Sequence, residues 1–539
     1  MIALYTAKQI RQCETAHATA KPKASLMQGA GEAVAKLAMK MLAKRNVLIL
    51  AGTGNNGGDA WVAARTLQKQ KINVTVVALG EQKNPDPAAK KALAEFSKAN
   101  GKIVTLSTAH TRSNTPPILE FENSYGLIID GIFGTGLSAE FGKKPSAIFA
   151  ETIRAANTLS AKHGIPILAI DIPSGLVADT GVALDEAIHA TTTLTFLGAK
   201  PGLYTADGGD YCGEILIDTL GMTLPEANGA LLSEPDCAAL IPERRRNSHK
   251  GSYGNVGIIG GADGMVGAAV IAARAALHMG PGKVYMGLML KDGAKNAVAF
   301  DAINPEIMVR AAADLVADSA ITAFAIGMGI GAGKNAKSIV NTAIANGKPL
   351  LLDADALQFL KLLPASNKKQ NTSIGEALRA KMAENAHPER CLTKNTILTP
   401  HPGEAARLLN ITTSEVQRDR IGAALKIAER SGAVVVLKGA GTVIATPSDH
   451  KNSGRYFINP TGNPGMASGG MGDALSGMIA AFMAQGLSTL DAAKLGVYLH
   501  GAAADAACHH GMGPNGLTAS EVIFEARSLL NSGLADFHD

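Results

Sequence analysis

The sequence pattern that most restricts the fold is a strand, glycine loop, helix, strand succession that occurs twice. In the first copy, the apolar run 47–50 leads into the glycine-rich loop 51–59, a helical stretch over 60–70 and a second apolar run over 73–79. The second copy spans 249–286. Buried parallel strands are continuous apolar runs, and each needs a crossover helix. The pattern therefore predicts an α/β fold whose parallel sheets are covered by helices on both faces.

Length and composition indicate two such domains. The chain has 539 residues, too many for a single core. Strand periodicity is lost over 220–247, where three prolines and the arginine run 244–246 occur, so we expect a solvated linker there. The predicted domains are 1–222 and 226–539, each a three-layer α/β structure.

Charge, cysteine use and hydropathy limit the partners and the compartment. A net charge of +5 is small for this length and does not favour a nucleic-acid partner. No apolar run of about 18 residues is free of charged residues, so we expect no membrane partner. Five scattered cysteines without a C-x-x-C pair are typical of a reducing compartment. We therefore expect a cytoplasmic protein, and its alanine-rich helices favour a homo-oligomer.

The first glycine loop combines a nucleotide signature with side-chain oxygens. Its glycines match the G-x-G-x-x-G dinucleotide fingerprint, which by itself is weak evidence. Asn55, Asn56 and Asp59 add amide and carboxylate oxygens that a plain phosphate loop does not need. These oxygens predict a cation beside the bound ligand.

Two further strand ends in the first half carry polar side chains. Asp130 follows the apolar run 127–129, and Asp171 and Ser174 follow the run 167–170. Because ligands of open α/β sheets bind at the carboxyl ends of strands, we expect one site there. Asn56, Asp130 and Ser174 are candidate oxygen ligands, and Asp171 is a candidate acid or base. The alternative is that both aspartates only cap the turns that follow them.

The segments AGTGNNGGDAWVAAR, IIDGIFGTGL and AIDIPSG resemble the NAD(P)HX epimerase domain over about residues 1–222. The resemblance implies a Rossmann-like fold that interconverts the R and S forms of hydrated NADH and NADPH (NADHX and NADPHX). It implies a potassium ion (K+) held by Asn56, Asp130 and Ser174, and catalysis by Asp171. The substrate contacts that it implies are Asn55, Asn56, Gly57, Gly58, Asp59, Gly134, Thr135, Gly136, Leu137, Ser138, Ala139, Glu140 and Asp171.

In the second half, the stretch 459–477 places five glycines ahead of an aspartate and a helix-forming run. Closely approaching backbone and the N–H groups of a helix start predict an anion site. Asp473, at that start, would repel a phosphate, so we expect it to act as a general base or a metal contact. The alternative is that Asp473 only caps its helix.

Other strand ends of the second half also carry polar groups. Asp353 and Asp355 follow one apolar run, His401 and Glu404 follow the next, and Lys438 ends a third. We expect these groups to face the same crevice as the glycine-rich helix start. A histidine in such a position is more often a structural hydrogen bonder than a catalytic group.

The motifs YGNVGIIGG, DADAL, LTPHPGEAARL, LKGAGTVIA and NPGMASGGMGDALSG resemble the ribokinase-like superfamily and, within it, the ADP-dependent NAD(P)HX dehydratase, over about 245–520. Met328 departs from the family, which more often has proline there; we expect a less rigid loop. The implied substrate contacts are Ala268, Gly329, His401 and Asp473. The implied adenine-nucleotide contacts are Lys438, Gly439, Ala440, Gly441, Thr442 and Gly472.

The combined resemblance implies a bifunctional repair enzyme. The second domain would transfer a phosphoryl group from ADP, or alternatively ATP, to the hydroxyl of the S hydrate, with Mg2+ on the donor. One rival hypothesis is a thiazole or pyrimidine kinase fused to a regulatory nucleotide-binding domain. The other is a non-catalytic first domain that only binds nucleotide or partners.

Overall fold

The computed structural model describes residues 1–20, 25–42, 46–80, 86–106, 125–137, 147–289, 300–362, 392–448 and 454–534. The chain divides into two compact units, Ala3–Gly229 and Ala230–Asp539, the second including Met1–Ile2. The domain limits at 222 and 226 stay predictions. Ser138, Ala139 and Glu140 lie outside the described residues. Within the described ranges, no helix has both the length and the apolar character needed to cross a bilayer.

The first unit is built on a parallel sheet. After β1 (Ile2–Leu4), its strands are β2 (Asn46–Ala51), β3 (Asn73–Ala78), β4 (Lys102–Thr105), β5 (Leu127–Gly131), β6 (Ile167–Ile170), β7 (Thr192–Phe196) and β8 (Glu214–Asp218). Strands β2 to β8 pair in parallel in the order β4-β3-β2-β5-β6-β7-β8. The helices are Ala7–Ala20, Leu26–Met41, Asn55–Lys69, Pro87–Lys98, Ala147–His163 and Gly208–Tyr211, with a 3-10 turn at Pro201–Leu203.

Strand β2 shows why this sheet is covered on both faces. Val47 and Ile49 belong to one buried apolar cluster, whereas Leu48 and Leu50 belong to another. Side chains alternate across a strand, so both faces must be apolar where helices cover both. The strand order reverses between β2 and β5, which creates a switch point at the carboxyl ends of these two strands.

The second unit contains a larger mixed sheet. Its strands are β9 (Gly229–Leu231), β10 (Asn255–Gly260), β11 (Lys283–Leu288), β12 (Met308–Ala311), β13 (Ala323–Ile326), β14 (Leu350–Leu352), β15 (Thr396–Leu398), β16 (Val434–Leu437), β17 (Val443–Ala445) and β18 (Tyr456–Ile458). The sheet also includes β1, and its order is β1-β9-β18-β17-β16-β15-β14-β13-β10-β11-β12. The α-helices are Glu234–Ala238, Val266–His278, Ala312–Ala317, Lys334–Ala345, Pro402–Leu409, Thr413–Arg418, Arg420–Ser431, Met471–Ala484, Thr489–His509 and Ala519–Ser532, and the 3-10 turns are Lys250–Tyr253, Ala354–Phe359 and Pro464–Met466.

The prediction of a wholly parallel second sheet is wrong at one end. Strand β17 pairs antiparallel with β16, and β18 pairs antiparallel with β17. Only residues 438–442 connect β16 to β17, and so short a connection allows a hairpin but no crossover helix. The strands from β10 to β16 do pair in parallel, as expected.

Close helix packing places the glycine-rich segment of the second unit. Helix Met471–Ala484 packs on the alanine-rich helix Val266–His278. A Cβ atom at Gly477 would lie 2.0 Å from the carbonyl oxygen of Ala272, so only glycine permits this approach. The start of helix Met471–Ala484 is thereby held over the carboxyl ends of the parallel strands.

Candidate active sites

A cavity of about 670 Å³ lies at the carboxyl ends of β2, β5, β6 and β7 in the first unit. Most of the predicted substrate-contact residues that are described line it, and two side chains that sequence reasoning missed, Glu14 and Lys200, lie in the same wall. The predicted residues in this wall are Asn55, Asn56, Asp59, Gly134, Thr135, Gly136, Leu137 and Asp171.

Gly57 and Gly58 do not line this cavity; close packing requires them. A Cβ atom at Gly57 would lie 1.9 Å from the carbonyl oxygen of Gly52. A Cβ atom at Gly58 would lie 2.6 Å from the terminal methyl of Met27. These two glycines let helix Asn55–Lys69 start close to its neighbours, which brings the Asn55 and Asn56 side chains to the cavity.

Asp171 and Lys200 form a buried ion pair in the cavity wall. Lys200 Nζ lies 2.5 Å from Asp171 Oδ1, and the two side chains are 1% and 14% exposed. Lys200 also donates to Thr195 Oγ1 at 2.9 Å and to the Phe196 carbonyl at 2.7 Å. All three ammonium protons therefore have acceptors, so Lys200 orients Asp171 and has no spare proton to donate.

The contacts of Asp171 are concentrated on one carboxylate oxygen. Oδ1 also accepts from Thr195 Oγ1 at 3.1 Å and from the Phe196 amide at 3.2 Å. Oδ2 accepts no hydrogen bond from the described part of the chain. Asp171 has φ = 66°, a left-handed conformation that is uncommon for a side-chain-bearing residue and often marks a functional site. One carboxylate oxygen is thus held while the other is available to a ligand.

Two other carboxyl groups share this cavity. Burial, followed by the nearby Asp171 carboxylate, raises the pKa of Glu14. Burial, again followed by Asp171, raises the pKa of Asp59 well above its usual value. The cavity therefore contains one carboxylate paired with a lysine and two carboxyl groups whose protonated forms are favoured, an arrangement suited to acid–base work.

The predicted cation ligands meet behind the cavity at the switch point. Asp130 is fully buried and accepts from the Ser174 amide at 2.7 Å, from Ser174 Oγ at 2.6 Å and from the Ile132 amide at 3.2 Å. Asn56 donates to the Phe133 carbonyl at 2.7 Å. Burial raises the pKa of Asp130 to about 6, and the hydrogen bonds from Ser174 and Ile132 oppose this shift.

This donor set fits a hard cation. It consists of carboxylate, hydroxyl, amide and carbonyl oxygens, the ligands that hard cations prefer. The structure also leaves the buried charge of Asp130 without a basic side-chain partner among the described residues. A bound cation would neutralise that charge.

In the second unit, the predicted residues follow the ends of neighbouring parallel strands. Gly329 follows β13, Asp353 follows β14, His401 follows β15 and Lys438 follows β16. Lys438 Nζ lies 2.7 Å from Asp353 Oδ1, with Asp353 only 1% exposed. This ion pair was not predicted, although both residues were singled out as polar groups at strand ends.

The start of helix Met471–Ala484 lies against this ion pair. A Cβ atom at Gly472 would be 3.2 Å from Lys438 Nζ, so the predicted nucleotide contacts Gly472 and Lys438 are adjacent. Burial, followed by the Asp353 carboxylate, raises the pKa of Asp473 to about 7, and Lys438 opposes this shift. A carboxyl group with that pKa can gain or lose a proton near neutral pH, as a general base requires.

A buried arginine supports the loop Lys438–Thr442. Arg420 donates to the carbonyls of Leu437 and Lys438 at 3.3 and 3.2 Å. A Cβ atom at Gly439, where φ is 138°, would lie 2.8 Å from the Arg420 guanidinium. Arg420 could not be found from the sequence, since a residue that begins a helix carries no signal of the loop above it.

His401 has a structural role in this state. It is the N-cap of helix Pro402–Leu409, and its Nδ1 accepts from the Gly403 and Glu404 amides at 3.0 and 3.4 Å. The imidazole is half exposed, and its Nε2 lies 3.4 Å from Glu404 Oε1. The structural interpretation of this histidine is confirmed, and the substrate contact stays a prediction.

The loop around Gly329 is held by packing. Gly329 has φ = 65°, and a Cβ atom there would lie 2.6 Å from the Met265 Cβ. Met328 is fully buried, and its carbonyl accepts from the Gly261 amide at 3.0 Å. These contacts anchor the loop at Met328, the position at which the sequence departs from the more usual proline. Ala268 lies nearby, because its amide donates to the Met265 carbonyl at 3.2 Å.

Two α/β units, each with acidic side chains at the carboxyl ends of its strands, define an enzyme with two sites. Comparison with known proteins shows the class of enzyme to which the chain belongs. Residues 23–202 match the family model described as YjeF-related protein N-terminus. Residues 256–374 and 375–524 match the model described as NAD(P)H-hydrate dehydratase.

Relatives similar over nearly the whole chain share one description. The bifunctional NAD(P)H-hydrate repair enzyme Nnr of Coxiella burnetii is 36% identical, covering 98% of this chain and 100% of its own. That of Escherichia coli is 35% identical, covering 95% and 90%. The crystal structure of the ADP/ATP-dependent NAD(P)H-hydrate dehydratase from Bacillus subtilis with ATP/Mg2+ is 30% identical with a TM-score of 0.46, covering 56% of this chain and 98% of that one. The chain belongs to the family of bifunctional NAD(P)H-hydrate repair enzymes, which confirms the resemblance inferred from its motifs.

Proposed function

We propose that this protein repairs hydrated NADH and NADPH in two steps. The first unit epimerises the R and S hydrates, and the second unit dehydrates the S hydrate with ADP, giving AMP and phosphate. The observation that carries the proposal is the presence of a separate, buried acid–base site in each unit. Asp171 is held by Lys200 in one unit, and Asp473 lies beside the Asp353–Lys438 pair in the other.

Epimerisation requires that a bond at the hydroxyl-bearing carbon breaks and re-forms on the opposite face. In the first cavity, Asp171 Oδ2 accepts the hydroxyl proton while the bond from that carbon to the ring nitrogen breaks. A protonated Glu14 or Asp59 gives its proton to the nitrogen that receives the bonding electrons. Return of both protons after rotation of the resulting carbonyl closes the ring with the inverted configuration.

The cation site supports this chemistry without taking part in proton transfer. Asn56, Asp130 and Ser174 would hold K+, and a bound ion supplies a fixed positive charge beside the loop 131–137. In this structure, Ser174 Oγ accepts from the Phe133 amide at 2.9 Å, which links the ion ligands to that loop. Through Ser174, a bound ion would therefore stabilise the loop that contacts the substrate.

Dehydration needs a better leaving group than hydroxide. Asp473 takes the hydroxyl proton, the hydroxyl oxygen attacks the terminal phosphorus of ADP, and AMP leaves. Phosphate then departs from the carbon as a proton leaves the neighbouring ring carbon. Lys438 and the amides at the start of helix Met471–Ala484 stabilise the transferring phosphoryl group, and magnesium would supply further charge neutralisation on the donor.

The decisive experiment follows the absorbance of regenerated NADH from a mixture of R and S hydrates with ADP, magnesium and potassium. We expect full recovery with the natural protein and recovery of only the S fraction with Asp171→Asn. We expect none with Asp473→Asn. Stable phosphorylated product without NADH would support the kinase hypothesis. Full recovery of both epimers by Asp171→Asn would support a non-catalytic first domain.

The remaining expectations belong to the same proposal. We propose a cytoplasmic homo-oligomer with domains over 1–222 and 226–539, in which ADP rather than ATP is the preferred donor. The site assignments made from sequence complete it, including Ser138, Ala139 and Glu140 as substrate contacts.

A further inference from the structure

Asp353 connects three parts of the second site. Its Oδ1 accepts from Lys438 Nζ at 2.7 Å and from the Ala354 amide at 2.8 Å. Its Oδ2 accepts from Ser476 Oγ at 2.7 Å. Asp353 and Ser476 are buried, so water does not compete for these bonds.

The partners of Asp353 come from both nucleotide motifs. Lys438 opens the loop that follows β16, whereas Ser476 lies in helix Met471–Ala484, one turn after Asp473. Residues three apart on a helix share a face, so Ser476 and Asp473 both lie on the side that faces β14. A single carboxylate therefore fixes the ammonium group of one motif and the first turns of the other.

We propose that Asp353 is a positioning residue for dehydration, which places Lys438 and the start of helix Met471–Ala484 so that Asp473 meets the substrate hydroxyl. This inference rests on the proposed dehydratase function.

The charges around Asp473 give the inference a second consequence. The Asp353 carboxylate disfavours ionisation of Asp473, and Lys438 favours it. His500, from helix Thr489–His509, is buried near Lys438, and burial lowers the pKa of His500 to about 4, so this imidazole is neutral. On the other helices packed against Met471–Ala484, Arg274 is paired with Asp301 and Glu525 with His510. Burial is the largest cause of the raised pKa of Asp473, and Asp353 is the acidic group that adds to it.

The test compares Asp353→Asn with Ser476→Ala in the full chain. Dehydration of the S hydrate with ADP is measured from pH 5.5 to 9. The rise of kcat at the acidic end of this pH profile, called the acidic limb, reports the loss of the Asp473 proton. For Asp353→Asn we expect this limb to move at least about one pH unit lower, because a neighbouring negative charge is lost. We also expect the KM for ADP to rise roughly tenfold, the usual effect of losing one charge-assisted hydrogen bond. Ser476→Ala should lower kcat with the acidic limb unmoved, since no charge changes.

A purely structural role would lower the activity and thermal stability of both variants and leave both acidic limbs at the natural pH, which would overturn the inference. Asp353→Glu keeps the charge and should keep the limb in place. If Asp353→Asn does not fold, Lys438→Met provides the opposite test: removing the positive charge should move the limb to higher pH, and an unmoved limb would refute the inference.

If the natural protein does not dehydrate the hydrate, the proposed function fails, and the inference about Asp353 is then tested separately by ADP binding, measured calorimetrically at pH 6 and 8. Asp353→Asn should still weaken ADP binding, and unchanged affinity would refute the inference independently of turnover.

Discussion

Replacement of Lys200 by methionine tests the physical account of the first site. Lys200 is 1% exposed and pairs with Asp171, which is 14% exposed. Removing one partner of a buried ion pair costs about 3–5 kcal/mol, because the other charge is left uncompensated. Partial exposure of Asp171 places the expected loss for Lys200→Met at the lower end, about 3 kcal/mol. For a unit of this size, that lowers the unfolding temperature by about 6–12 °C.

The double variant Asp171→Asn/Lys200→Met isolates the charge effect. Because it removes both charges, we expect it to recover about half of the stability that Lys200→Met loses. Differential scanning calorimetry of the full chain measures both variants, and added potassium identifies the transition of the first unit. Lys98→Met, at an exposed helix end, is the matched control and should shift this transition by less than about 2 °C. A double variant as unstable as the sum of the two single variants would refute the reasoning.

Three further predictions concern protons and ions. Burial raises the pKa of Asp473 to about 7 from a usual 3.8, so the folded state binds more protons and its stability falls as pH rises from about 4 to 7. Asp473→Asn should therefore raise the unfolding temperature at pH 8 and leave it nearly unchanged at pH 4; equal shifts at both values would contradict this. The pKa of Asp130 is raised to about 6, so potassium should stabilise the first unit more at pH 8 than at pH 5, an effect that Asp130→Asn abolishes in calorimetry with potassium against choline chloride. Glu14→Gln should slow epimerisation at least about 100-fold with dehydration of the S hydrate intact, and an unchanged rate would leave Asp59 as the acid.

The strands were predictable because burial leaves a local signature. Runs such as 47–50 and 167–170 are apolar without interruption, which only a strand covered on both faces requires. The antiparallel hairpin of β16 and β17 was missed because its strands have the same apolar character. Only the length of the connection between β16 and β17 distinguishes antiparallel from parallel pairing, and that length was visible in the sequence.

The position of a candidate side chain was predictable where it lies near the end of an element. Asp130 lies near the carboxyl end of β5, Asp171 follows β6, and Asp473 lies in the first turn of its helix. Glu14 could not be found in this way, since it comes from a helix whose orientation over the sheet depends on tertiary packing. Lys200 follows β7, but a lone lysine after a strand resembles any solvated surface lysine until its burial is known.

Both units contain a lysine–aspartate ion pair at their site, but the paired aspartate has a different role in each. In each, a lysine that follows one strand pairs with an aspartate that follows another, at 2.5 Å for Lys200 with Asp171 and 2.7 Å for Lys438 with Asp353. In the first unit the paired aspartate itself faces the cavity, so the lysine orients the base directly. In the second unit the paired aspartate lies behind Asp473, so its charge raises the proton affinity of the base while the lysine remains available to phosphate. An epimerase must both remove and return protons and gains from several carboxyl groups, whereas phosphoryl transfer needs one carboxylate that takes the proton of the substrate hydroxyl.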